Sequence, residues 1–257
     1  MWRGRLLGTD PSITARRRFH STLPSSPRCE LCASPFGAPF GPLLRLFGRH
    51  RFSRNPRYCS GCLGHLIRHA GGAEVPVSFL FADVRGSTPL GERLRPRALH
   101  DVMDRFYRAG VDALISYGAL IDRFMGDQVV GYFVPGFAGP QHARQAVLCG
   151  LEILHATGHD DGMPWIPVGA GVHTGEAFVG SVGKGEDLAE LTAIGDAVNV
   201  AARLASVADI GELVVSEAAY AAAGLGGDAE PRELALKGIA APVAVRVLRA
   251  GKAVAIV

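Results

Sequence analysis

Beyond residue 75 the chain alternates short apolar runs with longer amphipathic stretches, and the two spacings predict different elements. Residues 77–81 (Val-Ser-Phe-Leu-Phe) read as a buried strand, and residues 88–117 carry Leu90, Leu94, Leu99, Val102, Met103, Phe106, Val111, Leu114 and Ile115 at near-helical spacing. Two β runs follow at 120–124 and 128–133, flanking Met125-Gly126-Asp127, a hairpin turn that presents a carboxylate. Residues 142–156 form a second amphipathic helix. A strand pair is expected at 166–173 and 177–182 around Thr174-Gly175-Glu176, then a helix at 196–206 and strands at 213–216 and 243–248. The order is β-α-β-β-α-β with additions, which predicts an α+β, ferredoxin-like antiparallel sheet with helices on one face.

Residues before 73 lack this rhythm. Six prolines between positions 24 and 62 deny regular structure there, so another device must order the stretch. Four of the five cysteines supply one, as Cys29-Glu-Leu-Cys32 and Cys59-Ser-Gly-Cys62. Two residues between thiolates let one tight turn present both sulfurs to a single ion, and two such turns complete the tetrahedron of a structural Zn²⁺. His65 and His69 are read as a solvated helix face, and Cys149 as a small buried apolar residue. Three stretches result: a basic, frayed tail at 1–23 that includes Arg16-Arg17-Arg18, a zinc-binding segment at 24–72 closed by a Gly71-Gly72-Ala73 linker, and a catalytic domain at 73–250.

Composition and charge refine this picture. The chain has 257 residues, 48% hydrophobic and 20% charged, which excludes a disordered polyelectrolyte, and no apolar run is long enough to span a bilayer. The N-terminus shows no secretory pattern, so the cytoplasm is the expected location and disulfides are not expected. Residues 1–72 hold 12 Arg against 2 acids, +10, and the remainder 15 Lys and Arg against 22 acids, −7. The Arg49, Arg51, Arg54 and Arg57 cluster offers charge to nucleic acid or a membrane surface. It lacks an interleaved aromatic reading motif, so nucleic acid is not expected as a partner.

Candidate chemistry gathers at the strand ends. Asp83 closes the 77–81 strand, and the amides of Arg85 to Thr88 open a helix, a geometry that suits phosphate. Asp127 on the neighbouring turn can lie opposite Asp83, so the two carboxylates could clamp divalent cations. The segments Phe81-Ala82-Asp83-Val84-Arg85-Gly86, Gly118-x-x-Ile121-Asp122-Arg123-Phe124-Met125-Gly126-Asp127, Gly171-Val172-His173-Thr174-Gly175 and Ile194-Gly195-Asp196-Ala197-Val198-Asn199-Val200-Ala201-Ala202-Arg203 resemble, in order and spacing, the catalytic domain of class III adenylate and guanylate cyclases. The resemblance runs from about Val75 to Leu248.

It implies that Asp83 and Asp127 hold two Mg²⁺ or Mn²⁺ ions per site. Asn199 resembles the residue that orients the ribose, and Arg203, one helical turn on, the one that neutralises charge at the α-phosphate. Lys237 resembles a lysine on the terminal phosphates, and His173 is read as structural. Base choice falls to Arg123, where adenylate cyclases usually carry Lys, and Thr192, where Asp is frequent. An Arg can donate to adenine N1 and a threonine hydroxyl can accept from the N6 amino group, which favours ATP and keeps GTP as the alternative. The family resemblance also implies a head-to-tail homodimer with two shared sites. A catalytically silent nucleotide-binding sensor module is the other alternative, against which stands the joint presence of Asp83, Asp127, Asn199 and Arg203.

Overall fold

The computed structural model describes residues 1–257 except 54, 122–125, 161, 184–189, 228, 252–254 and 257. In chain order its elements begin with α1 (Trp2–Leu7), α2 (Pro11–Ser21), α3 (Phe40–Leu46), the hairpin β1 (Arg51–Phe52) and β2 (Asn55–Cys59), a π-helical turn (Ser60–Gly64) and α4 (His65–Arg68). There follow β3 (Gly71–Val84), α5 (Ser87–Arg93), α6 (Pro96–Ser116), β4 (Leu120–Ile121), β5 (Gln128–Phe133), α7 (Pro135–Ala138), α8 (His142–Ala156), β6 (Val168–Val182) and β7 (Glu190–Ile194). The last are α9 (Asp196–Val207), β8 (Glu212–Ser216), α10 (Glu217–Ala222), β9 (Leu225–Gly226), β10 (Glu230–Leu234), β11 (Val243–Arg249) and β12 (Ala255–Ile256). Two compact units emerge: Met1–Val75 with Val134–Pro140 and Ala177–Ile194, and Pro76–Phe133 with Gln141–Glu176 and Gly195–Val257. Among the described residues no helix is long and apolar enough to cross a membrane.

The first unit corrects the expectation of a frayed tail. Asp10 caps α2, its Oδ1 accepting the Ser12 amide at 2.8 Å with Pro11 in the first helical position, and its Oδ2 takes Arg5 Nε at 3.0 Å. Trp2, Leu6 and Ile13 are buried, so residues 1–23 carry their own apolar anchors. Arg17 of the Arg16-Arg17-Arg18 run donates to the Glu30 and Leu31 carbonyls. Prolines do not exclude structure in the next stretch either: Pro39 caps α3 and Pro42 sits in its first turn, where no intrahelical donor is lost. Gly71-Gly72-Ala73, expected as a linker, opens β3. Gly72 is required there, because a β-carbon would run into the Phe178 ring. On β6 and β7 the register pairs Phe178 with Ile194 and Gly180 with Thr192.

The second unit carries the sheet in the order β10-β11-β8-β6-β3-β5-β4. Its pairs are antiparallel at β3–β5, β4–β5, β8–β11 and β10–β11 and parallel at β6–β8. This is the expected βαββαβ core with added strands at one edge. Gly110 of α6 lies against Val129, and Gly150 of α8 against Leu213 and Leu80, which places both helices on one face. Leu204 and Ala208 pack with Val214, Val245 and Val247, so α9 is an addition on the opposite face, above β8 and β11. Two further expectations change. The single helix at 88–117 is broken into α5 and α6, because Pro96 forces Arg95 into extended backbone. The strand pair around Thr174-Gly175-Glu176 is one 15-residue strand, β6. No turn forms at Gly175, since the antiparallel partner of residues 178–182 is β7, a strand that the apolar pattern does not announce.

Candidate active site and four-cysteine centre

Asp83 is the penultimate residue of β3, in register with Gln128 of β5, and the Val84 amide donates to the Asp127 carbonyl at 3.2 Å. The strand pairing therefore puts the Asp83 and Asp127 side chains beside each other. Burial and the Asp127 charge push the Asp83 carboxyl up to about 6, with Arg85 pulling the other way. Asp83 Oδ1 is buried and has no hydrogen-bond partner among the described residues, while Oδ2 lies 3.4 Å from Arg85 Nη1. A buried anionic oxygen without a donor, next to a second carboxylate, is the donor set a hard divalent cation takes. The residues present fit Mg²⁺ or Mn²⁺.

The helix opening is narrower than expected. Gly86 turns the chain with φ +66° into α5, but the Arg85 amide already donates to the Pro167 carbonyl at 2.8 Å, leaving Gly86, Ser87 and Thr88 at the start of the helix. Asn199 and Arg203 are exposed on one face of α9, and Arg203 makes no ion pair among the described residues. Lys237 is exposed on the turn after β10, anchored by buried Leu236. Thr192 is half-buried on β7 in the first unit, and Arg123 lies outside the described residues. His173 Nδ1 lies 2.8 Å from Ser216 Oγ.

Two residues have clear roles that the linear pattern does not show. Arg85 ties the Asp83 strand end to the C-terminal turn of α9 through the Ala205 and Ser206 carbonyls, so the carboxylate end and the helix bearing Asn199 and Arg203 are held together. It stands inside one of the motifs, yet nothing in a motif says where its guanidinium goes. Tyr107 of α6 donates to the Gly126 carbonyl and so fixes the turn that presents Asp127.

In the first unit, Cys29, Cys32, Cys59 and Cys62 are all buried, and their Sγ atoms lie within 4.8 Å of one another. The Cys32 and Cys59 sulfurs are 3.7 Å apart. A tetrahedron with metal–sulfur bonds of about 2.3 Å has edges of about 3.8 Å, so the spacing suits Zn²⁺. The Cys59 amide donates to Cys29 Sγ at 3.3 Å. Arg49 Nη1, buried and without a hydrogen-bond partner among the described residues, flanks the Gly61 turn beside Cys59, a cation where four thiolates would accumulate negative charge. Without metal, the hydrogen bond with Cys29 holds the Cys32 thiol well below the usual range and pushes Cys62 above it. Among the described residues no histidine joins the set. The solvated helix face expected at His65 and His69 holds for exposed His69 only: His65 is half-buried, its Nε2 buried without a hydrogen-bond partner among the described residues, and its ring stacks on that of His69 at 3.7 Å.

This arrangement of sheet, paired carboxylates and exposed α9 polar face defines a nucleotide-processing domain. Residues 73–233 match the adenylate and guanylate cyclase catalytic domain family, and the chain belongs to that family. It is 30% identical over 164 residues to Adenylate cyclase 1 of Rhizobium meliloti (strain 1021), covering 60% of this chain and 24% of that protein. It is 31% identical over 134 residues to an adenylate cyclase of Anabaena cylindrica, covering 50% and 26%. The chain thus spans about a quarter of the length of these curated relatives. Among solved structures, the guanylyl cyclase Cya2 superposes with TM-score 0.63 at 29% identity, covering 69% of this chain and 93% of that one. The adenylyl cyclase CyaB from P. aeruginosa gives 0.59 at 27%, covering 70% and 97%.

Proposed function

We propose that the chain converts ATP to 3′,5′-cyclic AMP and pyrophosphate by in-line attack of the ribose 3′-oxygen on the α-phosphorus, at sites that two copies of the chain complete. The observation that carries the reading is the Asp83 carboxylate, buried beside Asp127 with one oxygen unpartnered among the described residues. Mg²⁺ or Mn²⁺, two per site, would supply positive charge to the 3′-oxygen and the triphosphate when bound. Asp83 and Asp127 hold these ions, and the Gly86–Thr88 amides face the polyphosphate. Asn199 orients the ribose, and Arg203 meets the charge that grows at the α-phosphate. Lys237 contacts the terminal phosphates. Arg123 and Thr192 read the base, the one donating to N1 and the other accepting from N6.

Exposure of Asn199 and Arg203, with Arg203 unpaired among the described residues of its own chain, supports a site shared across a homodimer. Zn²⁺ held by Cys29, Cys32, Cys59 and Cys62 has a structural role, since four thiolates leave no open coordination position. Guanylate cyclase activity is the second reading, favoured by the likeness to Cya2 at 29% identity. Purified protein incubated with Mn²⁺ and either ATP or GTP decides between them. Formation of cyclic AMP in preference to cyclic GMP is the expected result, the reverse selects the second reading, and no product from either nucleotide means a silent module.

A further inference from the structure

Between the two cysteine pairs the chain raises an apolar prominence that no described residue of its own unit covers. Leu43, Leu46 and Phe47 stand at i, i+3 and i+4 on α3 and the turn after it, exposed by 52%, 82% and 73%. Among the described residues no other stretch this short exposes three large apolar side chains. The base of the prominence is fixed: Gly41 is buried so tightly against the Phe36 carbonyl that a β-carbon would collide with it. Its top is open, and a β-carbon at Gly48 would meet nothing within 4 Å.

The surrounding charge has one sign. No Asp or Glu stands between Glu30 and Glu74, while arginines occur at 45, 49, 51, 54, 57 and 68. Arg49 is turned onto the cysteine centre and Arg57 pairs with Glu30, so these two serve the unit itself. Arg45 and Arg51 are both exposed and flank Leu46 and Phe47 in the sequence, and the Arg51 guanidinium lies 5.3 Å from the centre of the Phe36 ring.

We propose that this prominence is a docking element for an anionic lipid surface, with Leu43, Leu46 and Phe47 entering the headgroup and acyl boundary while Arg45 and Arg51 meet lipid phosphates. The combination selects the partner. A nucleic acid satisfies the arginines but leaves aliphatic Leu43 and Leu46 in water or against phosphate, and base stacking uses planar groups that leucine lacks. A lipid interface supplies both halves, hydrocarbon for the apolar side chains and negative charge for the cations. An exposed apolar patch rimmed by charge marks an interaction site of this kind.

The test is sedimentation of the full chain with vesicles of phosphatidylcholine alone or mixed with phosphatidylglycerol. The anionic vesicles should retain the protein, and the Leu46→Ser, Phe47→Ser double variant should partition on the order of tenfold less or weaker still. Arg45→Gln with Arg51→Gln should lower binding and flatten its salt dependence. Because all four side chains are exposed, folding should be unaffected, which an unchanged melting temperature verifies. A Phe47→Trp variant gives a direct reading, its emission moving to shorter wavelength on anionic vesicles. The proposal is overturned by absence of retention on either vesicle, or by retention that ignores the loss of Leu46 and Phe47. It is equally overturned by binding to duplex DNA in place of vesicles, or by self-association that the double variant abolishes without any vesicle binding.

Discussion

Replacing Asp83 with Asn should stabilise the metal-free protein while lowering its activity on the order of 10²- to 10³-fold. The carboxylate is held where it is electrostatically unfavourable, only 14% exposed and beside Asp127, and its pKa rises from 3.8 to about 6. At about 1.4 kcal/mol for each tenfold change in proton affinity, the full cost of keeping it ionised at neutral pH is about 3 kcal/mol. Residual solvation screens part of this, and Asn forfeits the Arg85 contact, so the net gain expected is about 1–2 kcal/mol. For a domain of this size that is a rise in melting temperature of roughly 2–8 °C.

The pH dependence carries a definite sign. Below the unfolded value of 3.8 the carboxyl is protonated folded or unfolded and costs nothing. As pH rises toward about 6 the unfolded chain releases its proton first, so the wild type loses stability relative to Asn, and above about 6 the difference is complete. Thermal melts across this range in chelator-treated buffer make the measurement, and Mn²⁺ should then raise the melting temperature of the wild type but not of the variant. If the Asn variant melts at or below the wild type at neutral pH without metal, the Asp83 carboxylate is not in repulsion and the reading of a preformed cation site fails.

Asp83→Ala and Arg203→Ala should each lose on the order of 10²- to 10³-fold in rate and regain activity when mixed, since one intact site re-forms in the heterodimer; a mixture as inactive as its components removes the shared-site reading. Arg123→Glu with Thr192→Cys should shift the ATP to GTP ratio of kcat/KM by about tenfold or more toward GTP, whereas Arg123→Lys with Thr192→Asp should keep ATP ahead; a ratio unmoved by both pairs means these residues do not read the base. Protein purified without added zinc should contain one Zn²⁺ per chain, with Cys62→Ser losing it, as metal analysis and thiol titration report; four freely titratable thiols with no metal contradict the assignment. Burial alone would raise the Glu212 carboxyl, but hydrogen bonds from Arg232 and the Asp209 amide and the charge of Arg249 hold it below 4.5, so its stabilisation is present above 4.5 and lost as pH falls through the lower folded value. Glu212→Gln should cost about 1–3 kcal/mol at neutral pH, discounted because both arginines are partly solvated, and should flatten the acid limb of the stability profile.

What the sequence made legible follows from range of interaction. Strand and helix periods along 77–81, 128–133 and 142–156 report burial that each segment shows by itself, and the structure has β3, β5 and α8 there. The cysteine pairs were legible because each CxxC turn is local, and only the meeting of Cys29 and Cys32 with Cys59 and Cys62 needed the fold. Some departures from the expected elements carry local signals: Asp10-Pro11 is a helix start, and Pro96 a helix break. Others had no local signal. Residues 174–176 look like a turn, and only pairing of residues 178–182 with β7 keeps that stretch extended. Arg85 was visible as a motif residue, but its reach to the carbonyls of Ala205 and Ser206 spans about 120 residues of sequence.

The same distinction explains why the candidate site is defined more firmly at its acidic end than at its basic end. Asp83 and Asp127 are placed by adjacent antiparallel strands, so one register fixes both, and Tyr107 further restrains the Asp127 turn. Asn199 and Arg203 are placed by a helix alone, which fixes their spacing from each other and, through Arg85, the position of the last turn of α9, but leaves their side chains in solvent. A preorganised electrostatic site needs its cation immobilised before charge develops. An exposed Arg203 lacks that restraint within a single chain, whereas burial against a second copy would supply it by excluding water and removing rotamer freedom. The carboxylate oxygen at one end and the guanidinium at the other, both without a partner among the described residues, are thus the two features that association and nucleotide binding would satisfy together.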